Sequence, residues 1–142
     1  MTIQDITVAY TAVATAENGR DGRVSSDDGN LDVIVNPPKA MGGSGAGTNP
    51  EQLFAAGYSA CFQGALGVVA RQEKVDISGS TVTAEVSIGK TDEGGFGLEV
   101  AISATIPNVD TATALSLVEK AHQVCPYSNA TRGNIKVGLS VA

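Results

Sequence analysis

Two cysteines, Cys61 and Cys125, are the residues of this 142-residue chain best suited to nucleophilic or redox chemistry. They stand 64 residues apart, outside any CxxC spacing. One histidine, His122, cannot complete a tetrahedral zinc site with them, so no metal is expected. Two readings remain open for the pair. Free cysteine is among the most buried residue types, so both could be inert core thiols. Their settings differ, however. Cys61 falls inside the most apolar stretch of the chain, and Cys125 falls where a predicted helix stops, directly before Pro126. The negative end of a helix dipole disfavours a thiolate at Cys125. Cys61 is then the better nucleophile, provided a cation offsets the cost of burying its charge.

Arg20, in the turn Gly19-Arg20-Asp21-Gly22, is the attractive cation, because glycines on both sides keep its approach open. It could equally be a solvated turn residue. Glu51, in the first turn of a predicted helix, is either a dipole-favoured capping acid or the anchor that fixes the Arg20 guanidinium fork. Glu51 and Cys61 are ten residues apart on that helix, a rise of about 15 Å, and cannot meet along it. If all three residues serve one site, a second copy of the chain is the natural source of the Arg–Glu pair. His122 lies one turn before Cys125 and could act as a base there, or be an ordinary half-buried histidine.

The elements that must position these residues follow from periodicity. Ile6, Val8, Tyr10, Ala12 and Ala14 alternate with mostly polar neighbours, which predicts a strand. Turns at 19–22 and 27–30 bracket a short strand, and Leu31, Val33 and Val35 predict a third, ended by Pro37-Pro38. Residues 42–49 form a glycine-rich loop, a candidate pocket wall. It lacks both GK[ST] and the GxGxxG register, and Pro50 removes an N–H that would serve an anion. Asn49 and Pro50 then open a helix running to about Glu73. Val82 to Ile88 and Phe96 to Ile106 alternate as a hairpin around Asp92–Gly95. Asp110 caps a second helix ending at Cys125-Pro126 and a polar turn, and Ile135 to Val141 predict a last strand. The order is βββ–α–ββ–α–β, an α+β fold with largely antiparallel sheet, in one domain over 1–142.

Composition narrows the function. Nine Lys+Arg against fifteen Asp+Glu give a net charge of −6, and aromatics are 4% with no Trp. Neither a phosphate-binding basic patch nor a base-stacking platform fits, so nucleic acid is excluded as a partner. The first residues carry no basic and apolar leader pattern, and a cytoplasmic location is expected. Residues 53–70 are eighteen uncharged residues, long enough to span a bilayer. Their three Gly and five Ala against two Leu suit a buried helix better, so no membrane partner is expected. A helix apolar on all sides, with small residues such as Gly57, Ala60, Gly64 and Gly67, needs more cover than one small sheet supplies. A homodimer with a common core is the expected solution.

The segments Gly42-Gly43-Ser44-Gly45-Ala46-Gly47-Thr48-Asn49-Pro50-Glu51-Gln52-Leu53-Phe54-Ala55-Ala56-Gly57-Tyr58-Ser59-Ala60-Cys61-Phe62 and Cys125-Pro126-Tyr127-Ser128-Asn129-Ala130-Thr131-Arg132 resemble a known signature, with the early Gly19-Arg20-Asp21-Gly22. The chain closely resembles, over its whole length, the organic hydroperoxide resistance proteins, the Ohr branch of the Ohr/OsmC family. That resemblance implies an intertwined homodimer, its sheets wrapped around two long central helices, with two sites at the subunit interface. It implies a thiol-dependent peroxidase that reduces alkyl or fatty-acid hydroperoxides to alcohols. Cys61 matches the peroxidatic cysteine, Cys125 the resolving cysteine that would bridge to it, Arg20 the active-site arginine and Glu51 its carboxylate partner. No bound cofactor is implied; dihydrolipoamide or a lipoylated protein would supply electrons. Phe54, Tyr58 and Phe62 are candidates for the alkyl-binding wall, or plain core. An OsmC-type enzyme with broader peroxide use and a non-catalytic small-molecule binding protein of the same fold are the alternatives.

Overall fold

The segment ahead of Ala14 departs from its predicted strand. In the computed structural model, which describes residues 3–142, pairing begins only at β1 (Ala14–Glu17). Ile6, Val8 and Tyr10 are 78, 65 and 80% exposed. The reason lies in the neighbour. β2 (Gly22–Ser26) ends at Ser26, opposite Ala14, and the chain turns away after it. Residues before Ala14 therefore run past the end of their partner, and alternation alone cannot make a strand without a ladder to satisfy its N–H and C=O groups. β3 (Asp32–Val35) completes an antiparallel sheet in the order β1-β2-β3.

Contacts within the chain group it into two units, residues up to Leu53 and Phe54–Ala142. The first unit holds the three-stranded sheet and the glycine-rich connection. After a 3-10 turn at Lys39–Met41 the chain returns to β3, where Asn36 N donates to Thr48 O (2.9 Å) and Thr48 N to Ile34 O (2.9 Å). Gly47 makes this return possible. A Cβ there would stand 2.5 Å from the Ile34 carbonyl oxygen, so no other residue fits without a shift.

The helix α1 (Pro50–Glu73) starts as predicted. Asn49 Oδ1 accepts from Gln52 N at 2.8 Å, and Pro50 takes the first helical position, where no N–H is needed. It ends in a left-handed Lys74 (φ 58), with Lys74 N donating to Arg71 O and Val75 N to Ala70 O. These bonds satisfy the Arg71 and Ala70 carbonyls of the last turn.

In the second unit β4 (Thr81–Lys90) and β5 (Phe96–Thr105) form the expected hairpin, register Thr81↔Thr105 to Lys90↔Phe96. α2 (Thr111–Val124) is capped by Asp110, whose Oδ1 accepts from Thr113 N at 2.7 Å. β6 (Val137–Val141) lies parallel to β5, from Val100↔Val137 to Ala104↔Val141. Among the described residues this is the one parallel strand pairing in a largely antiparallel pattern, and it arises because α2 carries the chain back along the sheet before β6 begins, the geometry of a crossover. One stripe of α1 (Tyr58, Phe62, Ala65, Leu66, Val69, Ala70) is buried against Val100, Ile102 and Ala104 of β5 and Leu117, Val118 and Ala121 of α2.

The polar turn expected after Cys125 is instead a short helix, α3 (Pro126–Thr131). A residue before proline is driven out of the helical region. Cys125 is accordingly extended (φ −62, ψ 123), although its N–H still closes α2 on Ala121 O and its C=O opens α3 by accepting from Asn129 N. Proline is at home as the first residue of a new helix, so the break becomes a bent joint rather than an open turn.

Candidate active site

Arg20 and Glu51 meet in the first unit. Nη2 donates to Oε1 at 2.8 Å and Nη1 to Oε2 at 3.1 Å, a two-pronged fork. Local structure explains the meeting. Asn18 and Gly19 both take left-handed angles (φ 64 and 58), which turns the chain tightly after β1 and puts Arg20 on the bend. Asn36 Nδ2 donates to Asp21 Oδ1 at 2.8 Å and ties that bend to the end of β3. The Thr48 return brings the start of α1 to the same place. Glu51 is 12% exposed in its side chain and Arg20 46%. The guanidinium holds the Glu51 carboxyl below its usual range, against a smaller upward push from burial.

The second unit brings the two sulfurs together. The Cys125 thiol points at Cys61 Sγ from 3.5 Å, and both thiols are free. Cys125 is fully buried and Cys61 partly exposed. Burial pushes the Cys61 thiol above its ordinary pKa, and the neighbouring Cys125 adds to this. The backbone N–H of Tyr127 opposes both by hydrogen-bonding the sulfur. No arginine is among these influences within one chain.

Tyr127 is the residue that sequence reasoning missed, although it stands inside the quoted Cys125–Arg132 motif. Its ring lies on Gly57, where an added Cβ would sit 3.0 Å from the hydroxyl and 3.2 Å from a ring carbon. Gly57 is one turn before Cys61, so a small residue there lets an aromatic settle beside the sulfur. Tyr127 joins Phe54 and Tyr58 in a cluster with ring centroids 5.7–6.3 Å apart. Of the three aromatics proposed for an alkyl wall, Phe54 keeps exposed surface. Tyr58 and Phe62 are 0% exposed and pack within the core of their own unit.

His122 does not hydrogen-bond either sulfur. Its Nδ1 lies 2.8 Å from Ser128 Oγ, and burial, with Arg132 nearby, pulls its pKa down. Ser128 Oγ in turn lies 2.8 Å from the Tyr58 hydroxyl. A faint signal of this was present in the sequence: a tyrosine in a helix otherwise free of charge for eighteen residues needs a partner for its hydroxyl.

Comparison with known proteins agrees with this architecture. The family model described as OsmC-like protein matches residues 42–140. An organic hydroperoxide resistance protein from Xanthomonas axonopodis pv. citri is 53% identical over 137 residues, covering 95% of this chain and 96% of that protein. The organic hydroperoxide resistance protein OhrB of Bacillus subtilis is 46% identical over 133 residues, covering 93% and 97%. The solved structure of an organic hydroperoxide resistance protein from Elizabethkingia anophelis superposes with a TM-score of 0.91 at 54% identity, covering 96% of this chain and 99% of that one. The chain is a member of the OsmC-like family, on its organic hydroperoxide resistance branch.

Proposed function

We propose that the protein is a cysteine-based peroxidase that reduces organic hydroperoxides to alcohols. The observation that carries this reading is the approach of Cys125 Sγ to Cys61 Sγ at 3.5 Å between a partly exposed and a buried thiol. The relatives' shared name, organic hydroperoxide resistance, supports the peroxide-detoxifying role. In the first step the Cys61 thiolate attacks the terminal oxygen of the hydroperoxide. The O–O bond breaks, the alkoxide leaves and takes a proton, and Cys61 becomes a sulfenic acid. In the second, Cys125 Sγ attacks that sulfur. An S–S bond forms, and the thiol proton leaves with the sulfenic hydroxyl as water. Closing the gap from 3.5 Å to a bond of about 2.05 Å needs a small movement of the joint before Pro126. A dithiol such as dihydrolipoamide, free or on a lipoylated protein, then reopens the bridge by exchange.

Burial raises the Cys61 pKa within one chain, so the thiolate needs a cation from elsewhere. A second copy supplies it in this reading, with Arg20 stabilising the thiolate and the departing alkoxide, and Glu51 holding the guanidinium in place. Two observations support a homodimer. Only 33% of the most apolar window of α1 is buried within the chain, and the alternating Ile6, Val8 and Tyr10 lie exposed without a strand partner. Phe54 and the 41%-exposed Tyr127, whose backbone N–H reaches Cys61, offer apolar surface for an alkyl group. A cytoplasmic location suits a pair of thiols that must return to the reduced form.

The test is a single turnover. One equivalent of cumene hydroperoxide consumes both thiols, and peptide mass analysis finds the Cys61–Cys125 bridge. Two thiols remaining after peroxide treatment overturn the reading. Steady-state rates with cumene hydroperoxide and hydrogen peroxide, each with dihydrolipoamide or thioredoxin as donor, then separate an organic-peroxide enzyme from one of broader use.

A further inference from the structure

Four polar side chains of the second unit form a continuous hydrogen-bonded string. His122 Nδ1 lies 2.8 Å from Ser128 Oγ, Ser128 Oγ 2.8 Å from Tyr58 Oη, and Tyr58 Oη 3.0 Å from Thr131 Oγ1. Thr131 Oγ1 lies 3.0 Å from the Tyr127 carbonyl oxygen and 3.3 Å from that of Ser128. Ser128 and Tyr58 are 0% exposed and Thr131 is 6% exposed, so water cannot easily substitute for a missing partner.

Counting protons fixes the direction of every bond. Carbonyls only accept, so Thr131 spends its single hydroxyl proton on the backbone. It must then accept from Tyr58. Tyr58 has used its only proton, so it accepts from Ser128, and Ser128 in turn accepts from His122. His122 therefore carries its proton on Nδ1. The lone pair of the neutral ring is left on Nε2, the reverse of the tautomer that free histidine favours.

The anchor points are placed around the reacting atoms. His122 and Ser128 stand three residues before and three after Cys125, on either side of the bent joint. Tyr58 stands three residues before Cys61 on α1. Arg132 reinforces the same joint, with Nη2 donating to the His122 carbonyl at 2.6 Å and to Asn129 Oδ1 at 2.9 Å. We propose that His122 is a positioning residue for disulfide closure: it heads a one-way hydrogen-bond chain through Ser128 and Tyr58 to Thr131 that holds the joint carrying Cys125 against α1, within reach of Cys61. The inference rests on the peroxidase reading for its consequence. The geometry of the chain stands apart from it.

The step affected is the condensation of the Cys125 thiol with the Cys61 sulfenic acid, which releases water. Slower condensation leaves the sulfenic acid open to a second peroxide, which carries it to the sulfinic acid. Two variants separate positioning from simple packing. His122→Leu removes the donor, and His122→Asn restores an N–H near the Nδ1 position. In rapid-quench experiments with cumene hydroperoxide, His122→Leu closes the bridge about five- to ten-fold more slowly, the scale of one hydrogen bond, and accumulates sulfinic acid at Cys61. His122→Asn closes within about two-fold of the parent. Closure at the parental rate in His122→Leu overturns the proposal, and so does failure of His122→Asn to restore it. Peroxide consumption is recorded separately, so a parent protein that consumes none sinks the peroxidase reading instead. Long-range 15N–1H correlation on the unaltered reduced protein at pH 8 needs neither peroxide nor a variant. The chain has one imidazole, and its proton is expected on Nδ1. A proton found on Nε2 overturns the proposal.

Discussion

The charged pair of the first unit and the sulfur pair of the second are built to opposite ends. Arg20 and Glu51 are fixed by an exposed turn, a strand end and a helix start, with the guanidinium kept near water. Cys61 and Cys125 are fixed by core packing, and burial discourages a charge on Cys61. The difference teaches that, within one chain, the cation and the thiols are built by separate means. A thiol in apolar surroundings needs a cation, and a fully paired guanidinium at the surface needs something to act on. A second comparison inside the first unit sharpens this. Arg23 and Asp32 form a fork as tight as that of Arg20 and Glu51, at 2.7 and 2.6 Å, yet both of its side chains are about half exposed (49 and 48%). The two forks differ in the burial of the carboxylate, 12% exposed at Glu51 against 48% at Asp32, and in the place of Glu51 in the first turn of a helix.

The largest expected effect tests the sulfur side. Cys61→Ser should drop turnover of cumene hydroperoxide to the buffer background, since a serine hydroxyl is not ionised near neutral pH. Retained turnover would move the chemistry elsewhere. Next comes the cation. Arg20→Ala should lower kcat/KM by about 100-fold, the scale for losing one donor to developing charge, and should raise the pH at which the Cys61 thiolate forms. Arg23→Ala, which removes a fork of the same shape, should change kcat/KM by no more than about two-fold. Equal losses in both variants would break the comparison.

The smallest effect is in acid, and it separates the two units by pH. His122 has its folded pKa pulled down by burial, so its neutral form belongs to the folded state. That contribution is complete above the unfolded histidine value, about 6.5, and is lost as pH falls through the lower folded value. Glu51 is also pulled down, chiefly by the Arg20 hydrogen bond. Its contribution is complete above the unfolded carboxyl value, about 4.3, and is lost as pH falls through the folded one. Urea midpoints should decline gently below pH 6.5 and more steeply below about 4. His122→Asn should flatten the first slope and Glu51→Gln part of the second. A first slope unchanged in His122→Asn would remove the histidine from the account.

Local rules carried the sequence reading where neighbours in the chain decide the outcome. Asn49 and Asp110 cap the helices they were predicted to cap, and the hairpin turns around Asp92–Gly95 as expected. The reading stopped where the outcome depends on distant partners. Alternation from Ile6 to Ala14 says which face is apolar but not whether another strand lies alongside. The parallel placement of β6 depends on where α2 delivers the chain, which periodicity does not encode. Pro126 was visible as a stop, but its second meaning, as the start of α3, needed the helix that follows. Of the candidate site, Cys61, Cys125, Arg20 and Glu51 were legible as residue types in telling positions. Ser128, Thr131 and Tyr127 were not, because a serine, a threonine and a tyrosine carry no chemistry until something is seen to touch them.

Because Cys125 lies within the crossover joining two parallel neighbours, its support depends on the last strand of the chain. β6 is an edge strand of five residues at the C-terminus, and α2 packs along it. A strand paired on one side only opens more readily than one paired on both. Loosening of β6 would therefore reach the α2 side first, while Cys61, midway along a 24-residue helix, keeps its footing. The two sulfurs would then part with both thiols still intact.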